Sequence, residues 1–165
     1  MMKTPITAVC PGSFDPVTVG HLDIIERASR LFDHVQVVVM VNAQKKCSFS
    51  IEERVDMIQK ATAHLSNVTV DSHEGLLADY TATHNATVIV KGLRAVSDFE
   101  YEFQMAMINR KLNPAAETVF LTTSGENLYL SSSVVKDVAS HGGDIKDFVP
   151  ACIHDRIWER LNTKG

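Results

Sequence analysis

Along the chain, short apolar runs alternate with longer segments in which apolar positions recur every three or four residues. Five runs are rich in β-branched residues: ITAVC (6 to 10), VQVVVMV (35 to 41), NVTVD (67 to 71), TVIVK (87 to 91) and TVFLT (118 to 122). Several are continuously apolar instead of alternating, which predicts strands covered on both faces. The intervening segments have helical spacing. HLDIIERASRLF puts Leu22, Ile25, Ala28 and Phe32 on one face. SIEERVDMIQKATAHL opens with Ser50 and Glu53 in the register of a capping box. LLADYTATH, DFEYEFQMAMINRKL and SSSVVKDVASHGG predict three more helices, the last ending at glycines suited to a helix C-terminus. ACIHDRIWERL predicts another after Pro150.

Strands alternating with helices predict an α/β fold: a five-stranded parallel sheet with right-handed crossovers and helices on both faces. The expected architecture is Rossmann-like, in strand order 3-2-1-4-5. No linker, repeat or low-complexity segment interrupts residues 1–165, so a single domain is expected. In such sheets ligands sit beyond the carboxyl ends of the strands, where the strand order reverses. That crevice lies between the first and fourth strands, and the loops after them are where chemistry is expected.

Composition narrows the partners. Apolar residues make up 45% and charged residues 22%, as in an ordinary folded domain. The net charge of -4 argues against a nucleic-acid surface and confines any phosphate site to a local patch. Cys10, Cys47 and Cys152 are odd in number and far apart, which fits neither a disulfide framework nor a zinc pattern. The segment MMKTPITAVCPGS lacks the apolar core of a signal peptide. No apolar run approaches the roughly 20 residues needed to span a bilayer, so a cytoplasmic location without a membrane partner is expected.

After the first run comes PGSFDPVTVGH. Gly12 and Gly20 allow close approach of backbone to a ligand, and a helix N-terminus suits an anion. The spacing matches neither a dinucleotide fingerprint nor a Walker loop. Taken alone, His21 also fits a capping or surface histidine. After the fourth run comes KGLR, with Lys91 and Arg94. A lysine ending an apolar strand costs desolvation and usually has an anionic partner, although alone it also fits a snorkelling lysine at a sheet rim. Lys45 and Lys46 follow the second run, and LSSSVVK offers hydroxyls at a helix N-terminus with Lys136 one turn further. Together these place cations and hydroxyls at the carboxyl ends of strands 1, 2, 4 and 5, which is the outline of a polyphosphate site.

These residues resemble the phosphopantetheine adenylyltransferases, bacterial enzymes of coenzyme A synthesis within the nucleotidylyltransferase superfamily. The likeness runs nearly end to end and rests on PGSFDPVTVGH, FDHV, EERV, KGLRAVSDFEYEFQMAMINRKL and LSSSVVK. The superfamily's T/H-x-G-H signature stands here as Thr18-Val19-Gly20-His21. Lys91 stands where many family members have arginine, and Ser13 where threonine is frequent; no tryptophan precedes the serines of ENLYLSSS.

The resemblance implies transfer of the adenylyl group of ATP to 4'-phosphopantetheine, giving dephospho-coenzyme A and pyrophosphate, by direct in-line attack. Another adenylyl- or cytidylyltransferase of the superfamily and a non-catalytic nucleotide-binding sensor are the competing readings. Magnesium would be held mainly through the ATP phosphates, without protein metal ligands. Carried over by motif position, His21, Lys45 and Arg94 would be catalytic, His21 donating to an α-phosphate oxygen and Lys45 bridging the two phosphates. A helix N-terminus lowers an imidazole's pKa, which favours a neutral donor without fixing its protonation. Ser13 and Phe14 would contact the nucleotide, Ser13 also the acceptor phosphate. Gly92, Leu93 and Arg94 would hold the nucleotide, Glu102 its ribose or adenine side, and Asn127, Leu128, Tyr129, Leu130, Ser131, Ser132 and Ser133 would close over adenine and phosphates. Lys91 would bind the acceptor and Leu77 would line its channel. The resemblance also implies a homohexamer and feedback binding of coenzyme A. The apolar residues Phe99, Phe103 and Met107 form a helix face that fits core better than interface.

Overall fold

The continuous apolar runs do form the centre of a sheet. In the computed structural model, which describes residues 4–42, 44 and 46–163, the strands are β1 (Thr7–Gly12), β2 (His34–Val41), β3 (Val68–Glu74), β4 (Val88–Leu93) and β5 (Glu117–Thr122). All neighbours pair in parallel, in the order β3-β2-β1-β4-β5. The helices are α1 (Val19–Leu31), α2 (Ile51–Ala61), α3 (Leu77–Thr83), α4 (Val96–Leu112), α5 (Ser132–Ser140) and α6 (His154–Leu161). Short 3-10 turns occupy Gly125–Asn127 and Ala151–Ile153, so the segment expected as one last helix opens with a tighter turn.

The two sheet faces differ in what covers them. Ala8, Val35, Val37, Val39 and Val90 face helices that supply Ile25, Ala28, Met57, Ile58, Val135, Ala139 and Ile157. Here α1, α2, α5 and α6 share the larger core. On the other face Val9 and Val38 pack with Tyr80 of α3 and with Ala86. Helix α4 crosses this side against β4 and β5. Its apolar residues run around the whole circumference, and Phe99, Phe103 and Met107 are 42%, 50% and 53% exposed. The expected core face of α4 is therefore open in the single chain, because the helix turns Glu102, Met105, Ala106 and Asn109 inward instead. A smaller difference concerns α1, where Ile24, Ile25 and Ala28 are buried and Leu22 and Phe32 only half-buried.

Helix ends are fixed by side chains. The Ser50 hydroxyl accepts the Glu53 backbone N–H at 3.2 Å, and the Ser50 N–H donates to the Glu53 carboxylate at 2.8 Å. Ser131 caps α5 by accepting the Val134 N–H at 3.2 Å. Gly142, just beyond α5, takes a φ of +77°, a conformation glycine adopts without steric cost. These caps set the connections at the carboxyl edge of the sheet, where β1 and β4 diverge into separate loops.

Candidate active site

The T-x-G-H motif begins as a local folding device. Thr18 is the N-cap of α1 and His21 its third residue. The Thr18 hydroxyl accepts the His21 N–H at 3.3 Å. In return the Thr18 N–H donates to His21 Nδ1 at 3.1 Å, so histidine takes the place that glutamate holds in the usual capping box. A nitrogen that accepts a backbone N–H carries no proton, which leaves a neutral imidazole protonated at Nε2. Burial, and then the cations of Arg94 and Lys91, push the imidazole pKa down to about 4. His21 is therefore a neutral Nε2–H donor at physiological pH.

The loop before it is shaped around Phe14. Its φ of +48° lies in the left-handed region, and its ring is buried and meets the His21 ring edge-on, with centroids 5.1 Å apart. A Cβ on Gly12 would come within 2.9 Å of that ring. Gly12 is thus required where the loop folds back over its own strand.

From the other side of the crevice, β4 delivers Lys91 and Gly92, and the turn into α4 delivers Arg94. A Cβ on Gly92 would lie 2.9 Å from Ile24 Cγ1, so glycine lets β4 and α1 approach at this edge. Lys91 pairs with Glu102 at 3.3 Å. Arg94 pairs with Asp98 at 3.1 Å and donates to the Leu130 carbonyl at 3.0 Å. Lys91 is half-buried and Arg94 exposed, and each cation is paired with a carboxylate of α4.

These parts enclose a cleft of about 420 Å³. Of the expected site residues it gathers Ser13, Phe14, His21, Lys91, Gly92, Arg94, Glu102, Asn127, Leu130, Ser131 and Ser132 along its walls. A second, largely apolar cleft of about 410 Å³ is lined by Met40, Leu77, Met105, Ile108 and Leu112. The two share Pro11, Gly12, Ser13, Lys91, Tyr101 and Glu102. The two clefts therefore meet at a floor carrying a hydroxyl, an ammonium and a carboxylate.

The remaining expected residues are distributed differently. Leu93, Leu128, Tyr129 and Ser133 do not line the clefts, Leu128 and Tyr129 being 48% and 60% exposed. Lys45 lies outside the described residues. Lys136 does not reach the cleft; its ammonium sits 2.6 Å from Asp15. Glu102 faces both clefts, since it pairs with Lys91. Among the polar residues lining the first cleft, Asp98, Tyr101 and Thr123 escaped the sequence reading. Asp98, Tyr101 and Glu102 stand at positions i, i+3 and i+4 of α4, the spacing of one helix face, which was the available signal. Cys10 also lines the cleft, but burial pushes its thiol up to about 12 and keeps it protonated. Among the described residues no cluster of three His, Cys, Asp or Glu side chains forms a metal cage, and no helix is long and apolar enough to cross a membrane.

A nucleotide-sized cleft at the switch point of a 3-2-1-4-5 sheet, with a neutral histidine at a helix N-terminus and two cations opposite, defines a nucleotidyltransferase. The family model described as cytidylyltransferase-like matches residues 9–138, and the chain belongs to that family. The chain is 54% identical over 153 residues to a phosphopantetheine adenylyltransferase of Heliobacterium modesticaldum, covering 93% of this chain and 91% of that one. It is 52% identical over 154 residues to that of Caldanaerobacter subterraneus, covering 93% and 96%. Within the larger family, it is a member of the phosphopantetheine adenylyltransferases. The fold is shared more widely: nicotinic acid mononucleotide adenylyltransferase of Plasmodium falciparum, complexed with NaAD, superposes with a TM-score of 0.65 at 16% identity, over 96% of this chain and 95% of that one.

Proposed function

We propose that the chain transfers the adenylyl group of ATP to 4'-phosphopantetheine, forming dephospho-coenzyme A and releasing pyrophosphate. The observation that carries this reading is the junction of the two clefts at Ser13 and Lys91. The first cleft, with His21, Arg94 and the serine-capped start of α5, suits a nucleotide triphosphate, and the second, lined by Met40, Leu77, Met105, Ile108 and Leu112, suits a narrow flexible arm. An acceptor phosphate at the junction would sit beside the α-phosphorus, within reach of both cations.

In-line attack by that phosphate needs no enzyme nucleophile: a P–O bond to the acceptor forms as the bond to the leaving pyrophosphate breaks. Catalysis then consists of holding the two phosphates together and stabilising the charge that develops between them. His21 Nε2–H donates to an α-phosphate oxygen, since Nδ1 is taken up by the Thr18 N–H. Lys91 and Ser13 hold the acceptor phosphate, Arg94 the leaving group, and Asn127 to Ser132 the nucleotide's outer wall. Lys45 is proposed to bridge the phosphates. Magnesium, when bound with ATP, neutralises phosphate charge. Asp98 and Glu102 already pair with Arg94 and Lys91, which fits a metal held by phosphate oxygens and water more than by protein carboxylates.

Coenzyme A shares the pantetheine arm and is proposed to compete for the apolar cleft. The open α4 face, with Phe99, Phe103 and Met107 exposed, supports assembly into a homohexamer. The test of the function is pyrophosphate release with ATP or CTP against a set of phosphorylated acceptors. Release with ATP and 4'-phosphopantetheine is expected; release only with CTP, or only with a mononucleotide acceptor, would overturn the reading.

A further inference from the structure

The segment Ser13–Pro16 is tied down from four directions, three of them by residues outside the cleft and the fourth by the cleft residue Ser132. Asp15 is 5% exposed and lies between the loop after β2 and helix α5. Its Oδ1 accepts the N–H groups of Ser48 at 3.1 Å and Phe49 at 3.0 Å. Its Oδ2 accepts the Ser48 N–H at 3.0 Å and the Lys136 ammonium at 2.6 Å. On one side, Arg54, itself 4% exposed, donates to the Ser13 carbonyl at 2.9 Å and to the Ser50 carbonyl at 3.2 Å. On the other, the Ser132 hydroxyl donates to the Pro16 carbonyl at 2.7 Å.

These ties bracket Phe14, whose φ of +48° is costly for an aromatic residue and persists only where the surroundings over-determine it. The ring held in this way is the one that meets His21 edge-on at 5.1 Å. Nδ1 of His21 is held by Thr18 alone, whose backbone N–H donates to it at 3.1 Å and whose hydroxyl lies 3.0 Å away, so both polar contacts sit at one ring nitrogen and neither supports the ring's edge. Phe14 supplies the second constraint. The Asp15–Lys136 pair is the only one of these ties with a charge on both ends among the described residues, and it spans from the first loop to α5. Burial alone would raise the Asp15 pKa, yet the Lys136 ammonium and the Ser48 and Phe49 N–H groups hold it below the usual carboxylate range. The carboxylate is therefore ionised in the folded protein.

We propose that Asp15, paired with Lys136, is a positioning residue for adenylyl transfer: it holds the left-handed backbone at Phe14, so that the Phe14 ring fixes the plane of His21 and aims Nε2–H at the reacting phosphorus. Asp15 lines neither cleft. This rests on the function proposed above, and its test has one arm that does not depend on that function.

In the substrate-free protein, the imidazole nitrogen and carbon-bound proton resonances of His21 report the ring's environment. Asp15→Asn is expected to move them, whereas Lys136→Arg, which keeps the charge, leaves them close to wild type. In steady-state assays, Asp15→Asn and Lys136→Met are expected to lower kcat about tenfold or more while the KM for ATP changes by less than about threefold. Lys136→Arg is expected to recover at least about a third of wild-type turnover. Active-site titration with a tight nucleotide ligand normalises kcat to folded enzyme, so simple loss of folded protein does not mimic the result. If Asp15→Asn does not fold, Lys136→Met decides, since it leaves Asp15 bonded to Ser48 and Phe49. Unchanged His21 resonances in the variant that folds, or a kcat that follows only the fraction folded, would overturn the proposal. A wild-type chain inactive towards 4'-phosphopantetheine would overturn the function, and the resonance arm would still decide the positioning.

Discussion

His21 Nδ1 accepts the backbone N–H of Thr18 at 3.1 Å, so the residue that starts helix α1 also fixes the tautomer of the imidazole one turn along. The Thr18 hydroxyl, which accepts the His21 N–H at 3.3 Å, is what calls for a threonine three residues before the histidine, since the backbone N–H comes with any residue but proline. The cap that stabilises the helix and the donor that faces the cleft are one hydrogen-bonded unit.

Replacing Thr18 with valine keeps the shape and the backbone N–H but removes the hydroxyl that caps His21 N–H. The expected result is a loss of about 1 kcal/mol of stability in denaturant unfolding, the usual cost of a lost N-cap. Turnover is expected to fall further than ATP affinity, and serine at the same position should restore both.

Removing the donor itself has a larger effect on rate. His21→Ala is expected to lower kcat by about 10² to 10³, the range found when one donor to a charged transition state is deleted. Equilibrium binding of ATP should change by less than about threefold, because the contact strengthens as the reaction proceeds. Calorimetry alongside single-turnover rates separates the two.

The depressed His21 pKa also has a sign for stability. The unfolded imidazole titrates near 6.5 and the folded one at about 4, so between these values the unfolded chain binds more protons. The neutral histidine's contribution is therefore complete above about 6.5 and is lost as pH falls towards about 4. Denaturant midpoints of wild type and His21→Gln, followed from pH 7 to 4, should converge in that window. Direct titration of His21 near its ordinary value would contradict this.

Much of the site was visible in the chain because its parts are local or end strands. The runs ITAVC and TVIVK place PGSFDPVTVGH and KGLR at the switch point, and the parallel pairing of β1 with β4 brings them together. What escaped depended on contacts between distant segments. Lys136 follows a serine cap and has the look of a phosphate ligand, but it answers Asp15, 121 positions earlier. Helix α4 was ambiguous for a different reason: apolar side chains surround it, so no periodicity marks which face meets the sheet. Asp98, Tyr101 and Glu102 line the first cleft, Met105, Ile108 and Leu112 the second, and Phe99, Phe103 and Met107 stay open.

The close approach of Gly92 to Ile24 is a packing prediction. Gly92→Ala places a Cβ within 2.9 Å of Ile24 Cγ1 and is expected to cost about 1–3 kcal/mol of stability. Ile24→Ala relieves the clash, so the double variant should be more stable than the sum of the single effects by about 1 kcal/mol, measured as a coupling energy in urea.

Lys91 stands where both clefts meet. Lys91→Ala is expected to weaken 4'-phosphopantetheine binding about tenfold or more in calorimetry, since it leaves Glu102 unpaired beside the incoming phosphate. Glu102→Gln leaves the lysine charge unopposed and should strengthen phosphate binding or leave it unchanged. A stronger loss in Glu102→Gln than in Lys91→Ala would reverse these roles.

The central claim, direct transfer between two phosphates held where the clefts meet, is tested most directly by stereochemistry at the α-phosphorus. With ATP carrying sulfur in one configuration at that phosphorus and 4'-phosphopantetheine as acceptor, a single in-line displacement gives inverted configuration in the product. Retention would mean two displacements through an enzyme-bound adenylyl group and would contradict the account.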